Sequence, residues 1–173
     1  MITRETPTLT GSTGAIFSDC ERYRYRLWRE WDDRLPACCF LMLNPSTADE
    51  QEDDPTITRC TARAVALKCG RLDVVNLFPW RATDPAELLT AADPLGPSGK
   101  ADGAIMDAIE RAHLVICAWG AHKAAAARAA DVLRIIRITG YHGRLHHLGL
   151  NQDGSPKHPL YIAAKVRPMR FEI

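Results

Sequence analysis

Four stretches of the chain place polar or aromatic residues directly behind apolar runs, and those residue types suit chemistry on a planar base. Asn44-Pro45-Ser46-Thr47 follows the apolar residues 37–43. Asn76, Phe78, Pro79 and Trp80 close the run 72–78. Trp119-Gly120 follows 114–118, and His158-Pro159-Leu160-Tyr161 comes after 144–150 and a turn. An amide reads a hydrogen-bonding edge or holds a water. An aromatic ring stacks on a base, and a histidine stabilises an anionic leaving group. Asp49 or Asp54, in the acidic stretch after the first loop, could help hold the water. Each residue also admits a structural role: Asn44 as a turn cap, Asn76 as a core amide, His158 as a loop hydrogen bonder, Trp119 as core.

These groups meet only if their strands end on one edge. An apolar run of this length reads as a buried strand, and proline ends it because it has no N–H for a ladder. Residues 57–67 read as a helix, with Asp54 as N-cap, Pro55 just inside, and Cys69-Gly70 ending it. Arg59 and Arg63 are expected on its exposed side. Residues 82–99 read as loop, 100–111 as an amphipathic helix, and 121–136 as an alanine-rich helix with Lys123 and Arg128 exposed. Strands and helices alternate from residue 37 on, which predicts an α/β fold with a mainly parallel sheet. In such a sheet the carboxyl ends share one edge, where ligand crevices form. Ahead of this core, residues 1–14 read as irregular lead-in. The alternation Tyr23-Arg24-Tyr25-Arg26-Leu27-Trp28-Arg29 reads as an edge strand with one covered face and, on the other, arginines that blunt the edge and could also meet phosphate.

Composition bounds the function classes. The 173 residues predict one domain, with residues 1–36 as lead-in and edge strand and 37–165 as core. With 46% hydrophobic and 25% charged residues the chain reads as globular, and no apolar run is long enough to span a membrane. The polar N-terminus lacks an export signal core, and six cysteines without a C-x-x-C pair read as reduced, mostly buried thiols; a cytoplasmic location is expected. An iron–sulfur cluster on some of them is the lesser alternative. The net charge of +1 hides an asymmetry: residues 1–110 hold 12 Lys/Arg and 18 Asp/Glu, residues 111–173 hold 10 and 3. All six histidines lie in the second part. Such a flank suits a polyanion, or is simply a solvated basic face.

The phrases LMLNPSTADEQEDDPTI, VVNLFPWRATDP, ICAWGAHK and GSPKHPLYI, within residues 41–162, are similar to those of the small bacterial and phage family DUF1643. More loosely, in order and position, the chain resembles the uracil-DNA glycosylase superfamily. The wider resemblance implies a three-layer α/β/α sandwich around a short, mainly parallel sheet. It implies an enzyme that hydrolyses the N-glycosidic bond of a base flipped out of DNA, as a monomer and without metal or organic cofactor. Asn44, before Pro45, falls where a residue orients or activates water. Asn76 falls where an asparagine reads the base, Trp119-Gly120 where the site is supported. His158 falls where a histidine donates to the departing base, Leu160 and Tyr161 where a side chain wedges into the helix.

The assembled expectation makes Asn44, His158, Asp49 and Asp54 catalytic. Asn76, Pro45, Ser46, Thr47, Phe78, Trp80, Trp119, Leu160 and Tyr161 surround the base. Ser155, Lys157, Lys123 and Arg81 hold phosphates of duplex or single-stranded DNA. Two departures bear on the substrate. Ser46-Thr47 stand where the superfamily commonly has an aromatic wall after the proline, and Leu160 follows Pro159 directly, so the last motif is contracted. A modified base, as in phage DNA, fits the altered pocket as well as uracil does. A non-catalytic nucleic-acid or nucleotide reader, and a hydrolase of free modified nucleosides or nucleotides, are the alternatives.

Overall fold

The computed structural model describes Met1–Ile173. A single sheet of eight strands runs through it: β1 (Ile2–Pro7), β2 (Ser12–Phe17), β3 (Arg24–Glu30), β4 (Ala37–Met42), β5 (Arg71–Asn76), β6 (Leu114–Cys117), β7 (Leu145–His147) and β8 (Met169–Arg170). Three helices join them: α1 (Pro55–Ala66), α2 (Lys100–Arg111) and α3 (Ala125–Ile138). The strand order is β1-β2-β3-β5-β4-β6-β7-β8. β5, β4, β6 and β7 are mutually parallel. β1, β2 and β3 continue the sheet antiparallel on one side, and β8 adds an antiparallel strand on the other.

The α/β class stands, but the sheet is larger and more antiparallel than the expected short, mainly parallel one. Residues 1–14 are not an irregular lead-in; they supply a hairpin. Its outer strand, Ile-Thr-Arg-Glu-Thr-Pro, carries no apolar run because it is an edge strand facing water. β3 is therefore an interior strand, and its arginines are buried. Arg26 donates from Nε (2.8 Å) and Nη2 (2.7 Å) to Asp73 of β5. Arg29 donates to Asp53 at 2.7 and 2.9 Å and to the Asp49 carbonyl at 2.7 Å. Charge is tolerated inside at Arg26 and Arg29 because each of these guanidinium groups finds a carboxylate there.

Helices cover both faces. Odd residues of the central strands (Cys39, Leu41, Val75, Val115) pack against Ile105 and Ile109 of α2 and Val132 and Ile136 of α3. Even ones (Cys38, Phe40, Leu72, Val74) pack against Ile57, Cys60 and Ala64 of α1. The period of two along a strand produces the two layers. Each fully buried Val, Leu, Ile or Phe side chain among them contributes about 1.5–3 kcal/mol relative to exposure.

α1 starts as expected: Asp54 accepts from the Ile57 N–H at 2.9 Å and Pro55 follows it. Its end differs. Lys68, not Gly70, takes the left-handed conformation, at φ +60°. Gly70 serves a close approach instead, since a Cβ there would lie 1.8 Å from the Asp32 carbonyl oxygen. Arg63 is buried rather than exposed. It donates to the carbonyls of Ile162 (2.8 Å), Ala163 (3.0 Å) and Val166 (3.1 Å), pinning the segment that follows His158 onto α1. Arg128 is likewise buried, on the Leu77 carbonyl at 2.9 Å and Asp102. The helix expected over 121–136 begins at Ala125, and the strand expected over 144–150 spans only Leu145–His147. No helix is long and apolar enough to cross a membrane.

The chain leaves β4 through α1 toward β5 on one side, and leaves β6 through α3 toward β7 on the other. The loops after β4 and β6 therefore diverge, and a crevice opens at this switch in direction.

Candidate active site

A cleft of about 460 Å³ lies at those diverging loops. Of the residues singled out in the sequence, Asn44, Ser46, Asp54, Trp119, His158, Leu160 and Tyr161 line it. A shallower groove of about 350 Å³ adjoins it, sharing Gly120, Ala121, His158 and Tyr161 and adding Lys157 and Asn151.

Asn44 sits just past β4, half-buried. Its Nδ2 donates to the Pro45 carbonyl at 3.0 Å and the Ala82 carbonyl at 2.9 Å. The Ala82 N–H returns a bond to the Pro45 carbonyl at 2.9 Å. With Nδ2 spent twice, Oδ1 is the group left for a ligand, and it can only accept. Asp54 spends Oδ1 on the Ile57 N–H, which leaves Oδ2 free beside the cleft.

His158 opens a single helical turn, Pro159–Tyr161, and its Nδ1 accepts from the Leu160 N–H at 3.4 Å. That contact assigns the neutral ring a proton on Nε2. Burial pushes its pKa below the usual histidine value, partly offset by the charge of Asp54. A neutral imidazole with a free Nε2–H donor results. The Tyr161 ring lies 5.8 Å from the His158 ring and is 83% exposed at the rim. Trp119 is buried and meets Phe171 edge-on at 6.1 Å, so one ring serves both core and cleft wall. Gly120, at φ +75°, turns the chain from β6 along the cleft.

The remaining residues lie elsewhere. Asn76 is 3% exposed, pairs in register with Met42, does not line the cleft, and keeps Nδ2 without a partner. Pro45 is buried behind the Ala82 link and Thr47 is exposed; neither lines the cleft. Asp49 caps its own loop, accepting from the Gln51 and Glu52 N–H groups at 2.8 Å each. Those bonds outweigh partial burial and hold its carboxyl below the ordinary range. Phe78 is core, and Trp80 meets Tyr23 edge-on at 5.6 Å. Arg81 stacks over Phe17 and donates to the Glu21 carbonyl at 3.2 Å. Ser155 is held within its turn by Asp153 and Asn151. Lys157 lines the shallow groove, and Lys123 is exposed one residue after His122 of the cleft.

The basic surplus of residues 111–173 does not gather here. Arg128 is buried, and Arg144 caps α2 through the carbonyls of Ile109, Glu110 and Ala112. Arg134 and Arg170 pair with Asp131 and Glu172. Two cleft residues with ionisable side chains were not singled out as site residues in the sequence: Arg24 and His122. Arg24 was legible only as one member of an alternating strand, and His122 only as part of the stretch after Trp119-Gly120.

Five cysteines are buried and Cys20 is exposed. Cys39 and Cys117 lie on one side of the sheet and Cys38, Cys60 and Cys69 on the other. No three His, Cys, Asp or Glu side chains are grouped to hold a metal ion. Comparisons with curated proteins and with solved structures each found no match. Residues 24–160, which carry β3 through His158 and the whole lining of the cleft but Tyr161, match the model of the family described as "Protein of unknown function (DUF1643)", and the chain belongs to that family.

Proposed function

We propose that the protein is a monofunctional N-glycosidic hydrolase that releases a base, modified rather than plain uracil, from DNA and leaves an abasic site. One observation carries the reading: Asn44, Asp54 and His158 line a single cleft of about 460 Å³, with Trp119 as its wall. That volume is in the range that encloses one small ligand.

The target nucleotide leaves the stack at a cost of a few kcal/mol and enters the cleft. His158 Nε2–H donates to the base as negative charge builds on it. The bond from base nitrogen to C1′ breaks, and its electron pair leaves with the base. The cationic sugar is then attacked at C1′ by a water that donates a hydrogen bond to Asn44 Oδ1. Asp54 Oδ2 stabilises the cation and takes the proton of that water. The neutral state of His158 suits donation without trapping the product as a tight ion pair. Lys157 and Lys123 contact phosphates, and Tyr161 at the rim fills the gap the base leaves. The reaction as drawn uses only these side chains and water.

Incubation with DNA, followed by heating in alkali, tests the reading. Strand breaks are expected where bases have been removed, and intact strands across a panel of modified DNAs overturn it. A second reading draws on the sparse cations at the mouth. With only Lys157 and Lys123 there, a free modified nucleotide bearing one phosphate is the alternative substrate. Duplex binding that weakens steeply with salt excludes that alternative.

A further inference from the structure

Arg24 is the least expected group in the cleft. It is 2% exposed, yet it lines the cavity. The one hydrogen bond of its side chain runs from Nη1 to the Ala48 carbonyl at 2.6 Å. Nε is buried without a partner. No carboxylate lies within ion-pair distance, unlike Arg26, Arg29 and Arg71, each of which has one. Asp54 supplies the largest attraction but stays beyond that distance, with one oxygen committed to α1. Burial drives the guanidinium pKa down to about 10, so it remains charged at neutral pH.

A buried cation without a counter-ion is costly, and the planar fork of arginine suits oxyanions with two oxygens in reach. The start of α3 does not share this role, since His122 accepts from the Ala124 N–H through Nδ1 at 3.2 Å and from the Ala125 N–H through its carbonyl at 2.9 Å. We propose that Arg24 forms an oxyanion-binding subsite within this cleft, so that the preferred ligand carries a phosphate or carboxylate into it. The subsite rests on the reading of the cleft as the substrate site, and it narrows the substrate to one with an anionic group on, or close to, the base.

The test is binding rather than turnover. Melting of the wild-type protein is followed with inorganic phosphate, acetate or chloride at matched ionic strength. Phosphate at ten times its Kd raises Tm by about 4 °C over chloride. The Arg24 Nε–H resonance moves during the titration, and Arg24→Gln loses the Tm rise. Asp54→Asn, which removes the repelling charge, binds phosphate several-fold more tightly. Should Arg24→Gln fail to fold, the wild-type resonance still decides. Identical melting in all three salts, or a phosphate effect that leaves Arg24 Nε–H unmoved, overturns the subsite. Thymidine 5′-monophosphate, orotate and uracil separate the sources: a response to the first alone points to a nucleotide phosphate, and to the second alone an anionic base. An equal response to uracil counts against the proposal. Base release from DNA without anion binding defeats the subsite and spares the glycosidase reading; anion binding without base release does the reverse.

Discussion

Asn44 is bonded to Ala82 beside the cleft, and a second bond ties Ala82 to the neighbouring Pro45. Asn44 Nδ2 donates to the Ala82 carbonyl at 2.9 Å, and the Ala82 N–H donates to the Pro45 carbonyl at 2.9 Å. The loops after β4 and β5 are thereby held as one piece. The same bonds fix which end of the amide is free, so the structural role of Asn44 and its proposed role as a water acceptor are compatible.

This coupling predicts an order among substitutions. Asn44→Ala loses two hydrogen bonds and costs about 1–3 kcal/mol of stability. Asn44→Asp costs more at pH 7, because a carboxylate then faces the Pro45 and Ala82 carbonyls. Those carbonyls raise the folded pKa of the new carboxyl, so the difference narrows as pH falls toward about 4, where it is protonated and can donate. Urea melts at pH 7 and pH 3.5 measure both.

His158 predicts a pH dependence of stability. Burial depresses its folded pKa below the usual value, so between the two the unfolded chain binds more protons. Its contribution is complete above about pH 6.5 and is lost as pH falls through the folded value. His147 is shifted the same way by burial. The urea midpoint of the wild type is expected to drop on acidification below pH 6.5, and that of His158→Gln to drop less. Parallel curves for the two proteins would contradict the assignment.

Asp73 predicts a large loss. It is fully buried and accepts from Arg26 and Arg71 together, at distances from 2.7 to 3.3 Å. Asp73→Ala leaves two guanidinium groups short of their acceptor between β3 and β5. A destabilisation of about 3–5 kcal/mol is expected, near 10 °C in Tm. Calorimetry checks it.

The end of α1 predicts a pair of opposite effects. Lys68→Gly relieves the left-handed strain and stabilises by about 0.5–1 kcal/mol. Gly70→Ala drives a methyl into the Asp32 carbonyl and destabilises by at least about 2 kcal/mol. Thermal melts of the two variants settle whether the glycine serves the helix cap or the β3–β4 approach.

What the sequence disclosed was local. The apolar run before Asn44-Pro45 marks β4, and Asp54-Pro55 marks the start of α1, because strand burial and capping act over a few neighbouring residues. The hairpin of β1 and β2 escaped notice because an edge strand facing water needs no apolar alternation. The arginines were misplaced for a related reason. Arg26, Arg29 and Arg128 read as solvent-facing, yet their acceptors are 47, 24 and 26 residues away, in Asp73, Asp53 and Asp102. Pairing over that distance leaves no local pattern. Convergence was partly legible: strand ends on one edge brought Asn44, Trp119 and His158 together, while Asn76 stops inside the sheet instead of reaching the cleft. Arg24 had no local signal that set it apart from its neighbours in β3.

Mass spectrometry of small molecules released from natural and phage DNAs decides whether this cleft breaks a glycosidic bond. One free base is expected, accumulating in step with alkali-labile sites. Asn44→Ala protein that still binds the DNA is expected to release it at least about 100-fold more slowly. Absence of any released base from DNA that the protein demonstrably binds, or equal release by wild type and Asn44→Ala, would contradict the glycosidase reading.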